Sequence, residues 1–85
     1  MPYKVHIEKK AAKFLEKINE PDYSRVKKAI LSLGDNPRPD GFRKLKGRDG
    51  FRIREGDYQI IYDIIDQILR VNVVTVGHRK DVYKK

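Results

Sequence analysis

The sequence predicts an α+β fold in which a short N-terminal strand and two helices precede a small, mainly antiparallel sheet, with both helices packed on one face of that sheet. Three observations lead to this prediction. Apolar and polar residues alternate at the N-terminus, apolar residues then recur at helical spacing, and alternation returns in the second half between glycine-containing turns. A chain of 85 residues has the length of one domain with one modest core, so residues 1–85 are assigned to a single domain.

A change of period separates the first strand from the first helix. Tyr3, Val5 and Ile7 alternate with polar residues, which is the pattern of a short, half-buried strand. From Lys9 to Ile18 the apolar residues recur at three-to-four spacing, while lysines and glutamates fill the other face. We therefore expect a strand followed directly by an amphipathic helix.

The second helix is expected to begin at Pro21-Asp22, because proline and aspartate are favourable in the first turn of a helix. Apolar residues between Val26 and Leu33 form its buried face, and Gly34 is expected to cap its C-terminus. Two prolines and a glycine then predict a loop over residues 35–41.

The second half of the chain predicts the strands of the sheet. Strands are expected over residues 42–46, 51–54, 58–64 and 68–76, separated by turns. The last strand is apolar on both faces, so we expect it in the centre of the sheet and not at an edge. Its apolar residues include Val71, Val73, Val74 and Val76.

Two arginines are expected to project side by side from the sheet. In Phe51-Arg52-Ile53-Arg54 the strand period of two separates the arginines from the apolar residues. Burying the arginines would be costly, so we expect them on the face without helices, together with Gln59. A phosphodiester suits two adjacent guanidiniums well, although a carboxylate-rich partner or solvent would also relieve their repulsion.

The composition favours an anionic partner and gives no sign of a metal site. Lysine and arginine number 20 against 12 acidic residues, so the net charge is +8, which is typical of nucleic-acid binders and also suits an acidic protein. Cysteine is absent, and His6 and His78 are far apart, so we expect no metal and no other cofactor. With no signal peptide and no apolar span, we expect a cytoplasmic protein with no membrane contact.

Four segments together resemble the RelE/ParE toxin superfamily, and most closely its RelE branch. They are Lys44-Leu45-Lys46-Gly47, Phe51-Arg52-Ile53-Arg54, Gly56-Asp57-Tyr58-Gln59-Ile60-Ile61-Tyr62 and Val76-Gly77-His78-Arg79-Lys80-Asp81-Val82-Tyr83. The resemblance covers almost the whole chain and implies a RelE-like fold. It also implies the toxin of a type II toxin–antitoxin pair, a metal-independent endoribonuclease that cuts mRNA in the ribosomal A site and so inhibits translation. A RelB-like antitoxin would bind and silence it.

The resemblance implies a catalytic set as well. Arg52 and Arg54 match the paired basic positions of the family, which would hold the phosphate, and Arg79 matches its C-terminal arginine. In such a cut a 2′-hydroxyl attacks the adjacent phosphorus while negative charge builds on the phosphoryl oxygens, so cations at the phosphate are the first requirement.

Tyr83 matches the terminal tyrosine proposed as general base in the family. The pKa of tyrosine, about 10, is too high for a base unless neighbouring cations lower it. Tyr83 could instead stack on a nucleobase. His78 is the alternative acid or base, because histidine titrates nearest to neutral pH, but it could equally cap the end of a strand.

Other cations are expected to hold RNA phosphates, although they read equally well as solvated side chains. They are Lys44, Lys46, Arg48, Lys80, Lys84 and Lys85. Where many RelE-type sequences have a further arginine this chain has Gln59, which can hydrogen-bond a phosphate oxygen but adds no charge. This departure puts the efficiency of cleavage in question and leaves open a ParE-like inhibitor of DNA gyrase with no ribonuclease activity. A third alternative is an RNA-binding module with no activity of its own.

Overall fold

The computed structural model describes residues 2–79 and has the predicted α+β architecture. The elements are β1 (Lys4–Ile7), α1 (Lys9–Glu16), α2 (Asp22–Ser32), β2 (Arg43–Lys44), β3 (Phe51–Glu55), β4 (Tyr58–Ile65), a 3-10 turn (Asp66–Ile68) and β5 (Arg70–His78). The strands form one sheet in the order β1-β5-β4-β3-β2, in which β1 runs parallel to β5 and the other pairs are antiparallel. The predicted central position of the last strand is confirmed.

Both helices pack on the same face of the sheet and form the core with it. The buried apolar cluster includes Ala11, Leu15, Val26, Ile30, Leu33, Ile53, Ile60, Tyr62, Val71, Val73 and Val76. Alternate residues of β3 and β4 belong to this cluster, so the residues between them project from the opposite face. Neither α1 nor α2 is long and apolar enough to cross a membrane.

A β-bulge in β5 explains why its valines are not spaced by two. Ile61 pairs with Thr75 but Tyr62 pairs with Val73, so Val74 is an extra residue in the strand. The insertion lets Val73 and Val76 both point at the helices, and both are buried. Every residue of β5 after the bulge therefore lies on the opposite side from the one that simple alternation predicts.

Gly34 follows α2, as predicted, but it is needed for a close approach and not for a left-handed cap. A Cβ at this position would lie 2.9 Å from the carbonyl oxygen of Tyr3. The backbone N–H of Tyr3 donates to the carbonyl oxygen of Gly34 over 2.6 Å. The glycine therefore lets β1 come close to the end of α2.

The predicted loop before β2 is fixed at two points. The buried hydroxyl of Tyr62 donates to the carbonyl oxygen of Pro37 over 2.8 Å. Arg38 forms an ion pair with Asp66 at 3.0 Å, and the hydroxyl of Tyr3 also donates to this carboxylate. These hydrogen bonds, from Arg38 and then from Tyr3, hold the pKa of Asp66 below its usual range. These contacts hold the loop in a defined position, and so they fix where the edge strand β2 begins.

Replacing the buried phenol is expected to change the response of the protein to alkali. Burial raises the pKa of Tyr62 to about 12. This pKa lies above the unfolded value of about 10. The contribution of the phenol to the free energy of unfolding is therefore complete below pH 10 and is lost as the pH rises through 12. Tyr62→Phe should lower the free energy of unfolding by about 1 kcal/mol at neutral pH, since one buried hydrogen bond is lost. Urea unfolding at pH 7 and 11 should show the difference shrinking at the higher pH; a constant difference would contradict this account.

Candidate nucleic-acid interface

The face of the sheet that points away from the helices carries both predicted arginines. In the pairing of β3 with β4, Arg52 lies opposite Ile61 and Arg54 lies opposite Gln59. Directly paired residues project from the same face, and Ile53, between the two arginines, is buried in the core. The arginines therefore point away from the helices, as the strand period predicts.

Edge strand β2 adds a third arginine that the sequence pattern did not predict. Arg43 pairs directly with Arg52, whereas Lys44 pairs with Phe51. The side chain of Arg43 therefore projects from the same face of the sheet as Arg52. The side chain of Lys44 projects from the face covered by the helices. The ring of Phe42 packs against Phe51 with centroids 5.7 Å apart, so an apolar residue beside Arg43 was the available signal. We call Arg43, Arg52 and Arg54 the arginine cluster.

Two grooves adjoin the arginine cluster. The first, of about 260 Å³, is lined by Asp40, Gly41, Arg43, Arg52, Ile53 and Arg54. The second, of about 440 Å³, is lined by Arg43, Lys44, Leu45, Lys46 and Arg52. Arg43 and Arg52 belong to both grooves and separate them. Two of the predicted RNA-binding lysines, Lys44 and Lys46, thus lie beside the cluster, and Arg48 is exposed in the turn that follows.

Gln59 is not presented at the surface in the way the sequence suggested. Its exposed fraction is 1%, and its amide oxygen accepts a long hydrogen bond of 3.4 Å from Nε of Arg54. The Gln59 amide therefore helps to orient the guanidinium of Arg54 through this hydrogen bond. Its predicted contact with RNA stays a prediction.

The side chain of His78 projects from the face of the sheet opposite to that of the arginine cluster. It pairs with Tyr58, and the two rings meet edge-on with centroids 5.8 Å apart. The ring of Tyr58 in turn meets Phe14 of α1 at 6.4 Å. His78 is therefore on the helix side of the sheet, and the fold does not bring it together with Arg52 and Arg54.

Arg79 lies at the end of the sheet where Arg54 is found. It is exposed, and its backbone N–H donates to the carbonyl oxygen of Asp57, in the turn between β3 and β4, over 2.8 Å. Outside the described residues lie Lys80, Tyr83, Lys84 and Lys85. Within residues 2–79, no group of three or more histidine, aspartate or glutamate side chains could hold a metal ion.

The fold and the sequence together define the class of this protein. Residues 5–83 match the family described as the ParE toxin of the type II toxin–antitoxin system parDE, so the chain belongs to this family of the RelE/ParE superfamily. The prediction of the superfamily and of its fold is confirmed.

Individual relatives match along nearly the whole chain. The mRNA interferase toxin RelE of Escherichia coli K12 is 27% identical over 90 residues, which cover 100% of this chain and 94% of that protein. A RelE-like toxin protein of Escherichia coli is 32% identical over 88 residues, covering 98% and 92% respectively. The RelE of the archaeal RelE–RelB complex from Pyrococcus horikoshii OT3 superposes with a TM-score of 0.81 at 28% identity, over 93% of this chain and 97% of that one.

Proposed function

We propose that the protein is the toxin of a type II toxin–antitoxin pair and that it cuts mRNA in the A site of the ribosome. The observation that carries the proposal is the arginine cluster on the helix-free face of the sheet. Support comes from full-length similarity to a protein named mRNA interferase. A cytoplasmic location follows from the proposal, because the substrate is a translating ribosome.

The arginines would act on the phosphate that is cut. Residues two apart in a strand are separated by about 7 Å, so Arg52 and Arg54 can flank one phosphodiester. The 2′-oxygen loses its proton to a base and bonds to phosphorus, the bond from phosphorus to the 5′ oxygen breaks, and the leaving oxygen takes up a proton from water. Negative charge builds on the two non-bridging oxygens in the transition state. Guanidiniums fixed in position stabilise this charge but cannot transfer protons near neutral pH. Arg79 is proposed to assist the leaving oxygen from the end of the same sheet.

Tyr83 is proposed as the general base, and its replacement tests this role. His78 lies beside Tyr58 on the helix side of the sheet, away from the arginine cluster, which favours Tyr83 as the general base. If the phenol removes the proton, Tyr83→Phe should reduce the single-turnover rate by about 100-fold or more without weakening substrate binding. If the ring of Tyr83 only stacks on a nucleobase, the Tyr83→Phe variant should cut mRNA as fast as the wild type. His78→Gln is expected to retain cleavage, and a loss confined to that variant would reverse the assignment.

A RelB-like antitoxin is the proposed protein partner. The RelE of Pyrococcus horikoshii was solved in complex with RelB, and this chain carries a net charge of +8 that an acidic segment would neutralise. Co-expression with a short acidic, helix-rich chain encoded beside it should relieve toxicity.

Inhibition of DNA gyrase is the second candidate function. Two observations favour it: the matching family is described by the name ParE, and Gln59 stands where many RelE-type sequences have an arginine. The two functions separate in purified systems. We expect mRNA to be cut when ribosomes are present, and we expect gyrase to supercoil DNA normally. Inhibited gyrase together with intact mRNA would establish the second function.

A further inference from the structure

We propose that Arg43 completes a three-arginine site for one RNA phosphate and supplies the positive charge that Gln59 does not. The inference rests on the proposed RNA substrate. Arg43 is not among the catalytic residues predicted from the sequence. It makes Arg43 a phosphate-binding residue at the edge of the sheet.

The pairing of β2 with β3 carries this inference. Residues directly opposite in an antiparallel pair have Cβ atoms about 5 Å apart, so Arg43 and Arg52 start from neighbouring points on one face. Two arginines placed in this way can bind one anion between them, because the planar guanidinium suits the oxygens of a phosphate.

The position of Arg43 is set by its surroundings although β2 has two residues. On one side the ring of Phe42 packs against Phe51, and on the other the backbone N–H of Leu45 donates to the carbonyl oxygen of Gly50 over 3.0 Å. Both contacts fix the register of the edge strand. The backbone of Arg43 is therefore held opposite Arg52 before any ligand arrives.

The first groove has the size and lining for a phosphate with part of its ribose. Arg43, Arg52 and Arg54 all line a space of about 260 Å³. Asp40 also lines it, and a carboxylate can accept a hydrogen bond from a ribose hydroxyl. Gln59, at 1% exposure, accepts a hydrogen bond from Arg54 and is not among the residues that line the groove.

The second groove continues the path of the RNA strand. Arg43 and Arg52 separate it from the first groove, and Lys44 and Lys46 add two cations beyond them. Leu45 supplies an apolar contact for a ribose or a base. The geometry therefore suits a single strand with one phosphate in the first groove and the next phosphate along the chain in the second.

Binding of a short single-stranded RNA in the absence of ribosomes, where the proposed function predicts no cleavage, tests the role of Arg43. Fluorescence anisotropy should show about tenfold weaker binding for Arg43→Ala, and the slope of log Kd against log salt should fall by about 0.7, as expected for one lost contact to a single strand. Arg43→Lys should keep the slope and lose part of the affinity, because it retains the charge but not the fork.

Arg70→Ala is the matched control, and ribosomes separate the two proposals. Arg70 is exposed and shares the face, but it pairs with Ile65, about 13 Å further along β4 than the row of Arg52, so its loss should change affinity less than twofold. Unchanged affinity and salt slope in Arg43→Ala, or no binding by the wild type, would overturn the site. If Arg43→Ala weakens binding as expected but the wild type cuts no mRNA on ribosomes, the phosphate site stands and the proposed function fails.

Discussion

Replacing Arg52 and Arg54 together by alanine should reduce ribosome-dependent cleavage by about 1000-fold or more. Removing a single fixed donor from a site that stabilises developing charge typically costs about 100-fold to 1000-fold in rate, and this variant removes two guanidiniums. The two arginines belong to the cluster on the helix-free face, and Arg54 is exposed. The rate should be measured in single turnover at saturating ribosomes, so that weaker binding does not hide the chemical step.

A second double variant provides a matched control for the lost charge. Arg25→Ala with Arg70→Ala likewise removes two positive charges, from exposed arginines in α2 and at the far end of the sheet. It should cut mRNA at nearly the wild-type rate, and surface changes of this kind should leave the fold intact. Equal losses in the two double variants would mean that net charge, and not the arginine cluster, sets the activity.

The core prediction with the largest effect concerns Ile30, on the buried face of α2. Its exposed fraction is 0%, and it belongs to the cluster between the helices and the sheet. Ile30→Ala should lower the free energy of unfolding by about 3 kcal/mol, through lost burial and the cavity that remains. Since domains of this size are stable by about 5–15 kcal/mol, urea should unfold the variant at a much lower concentration.

The next residue on the same helix gives the control for this prediction. Leu31 has an exposed fraction of 54%, so Leu31→Ala removes side-chain atoms of the same kind from a position in contact with water. Its effect should stay below about 1 kcal/mol. Equal destabilisation by the two substitutions would show that α2 does not bury the face that the structure assigns to it.

The architecture could be predicted because its signals are local. The change from alternating to helical spacing at Lys9 defines where β1 ends and α1 begins, and Pro21 with Asp22 defines the start of α2. The valines of β5 predicted a central strand, which lies between β1 and β4. The face of Arg52 and Arg54 followed from their neighbours Phe51 and Ile53 in the same strand.

The parts of the site that were missed depend on other strands. Arg43 joins the cluster because a strand of two residues pairs in one particular register, which the sequence of β2 does not specify by itself. Simple alternation from Val71 would put His78 on the face of the arginines, and the extra residue Val74 reverses its side. The burial of Gln59 likewise reflects tertiary packing that no period reveals.

The most direct measurement uses a ribosome programmed with an mRNA that carries a single 2′-deoxynucleotide at the position of the cut. With unmodified mRNA we expect the wild-type protein to leave a 2′,3′-cyclic phosphate and a 5′-hydroxyl, because the ribose hydroxyl is the nucleophile. The single deoxy substitution should abolish cleavage at that position, and omission of ribosomes should abolish it everywhere. Cleavage that persists on the deoxy-substituted mRNA, or an uncut mRNA alongside inhibited gyrase, would contradict the account.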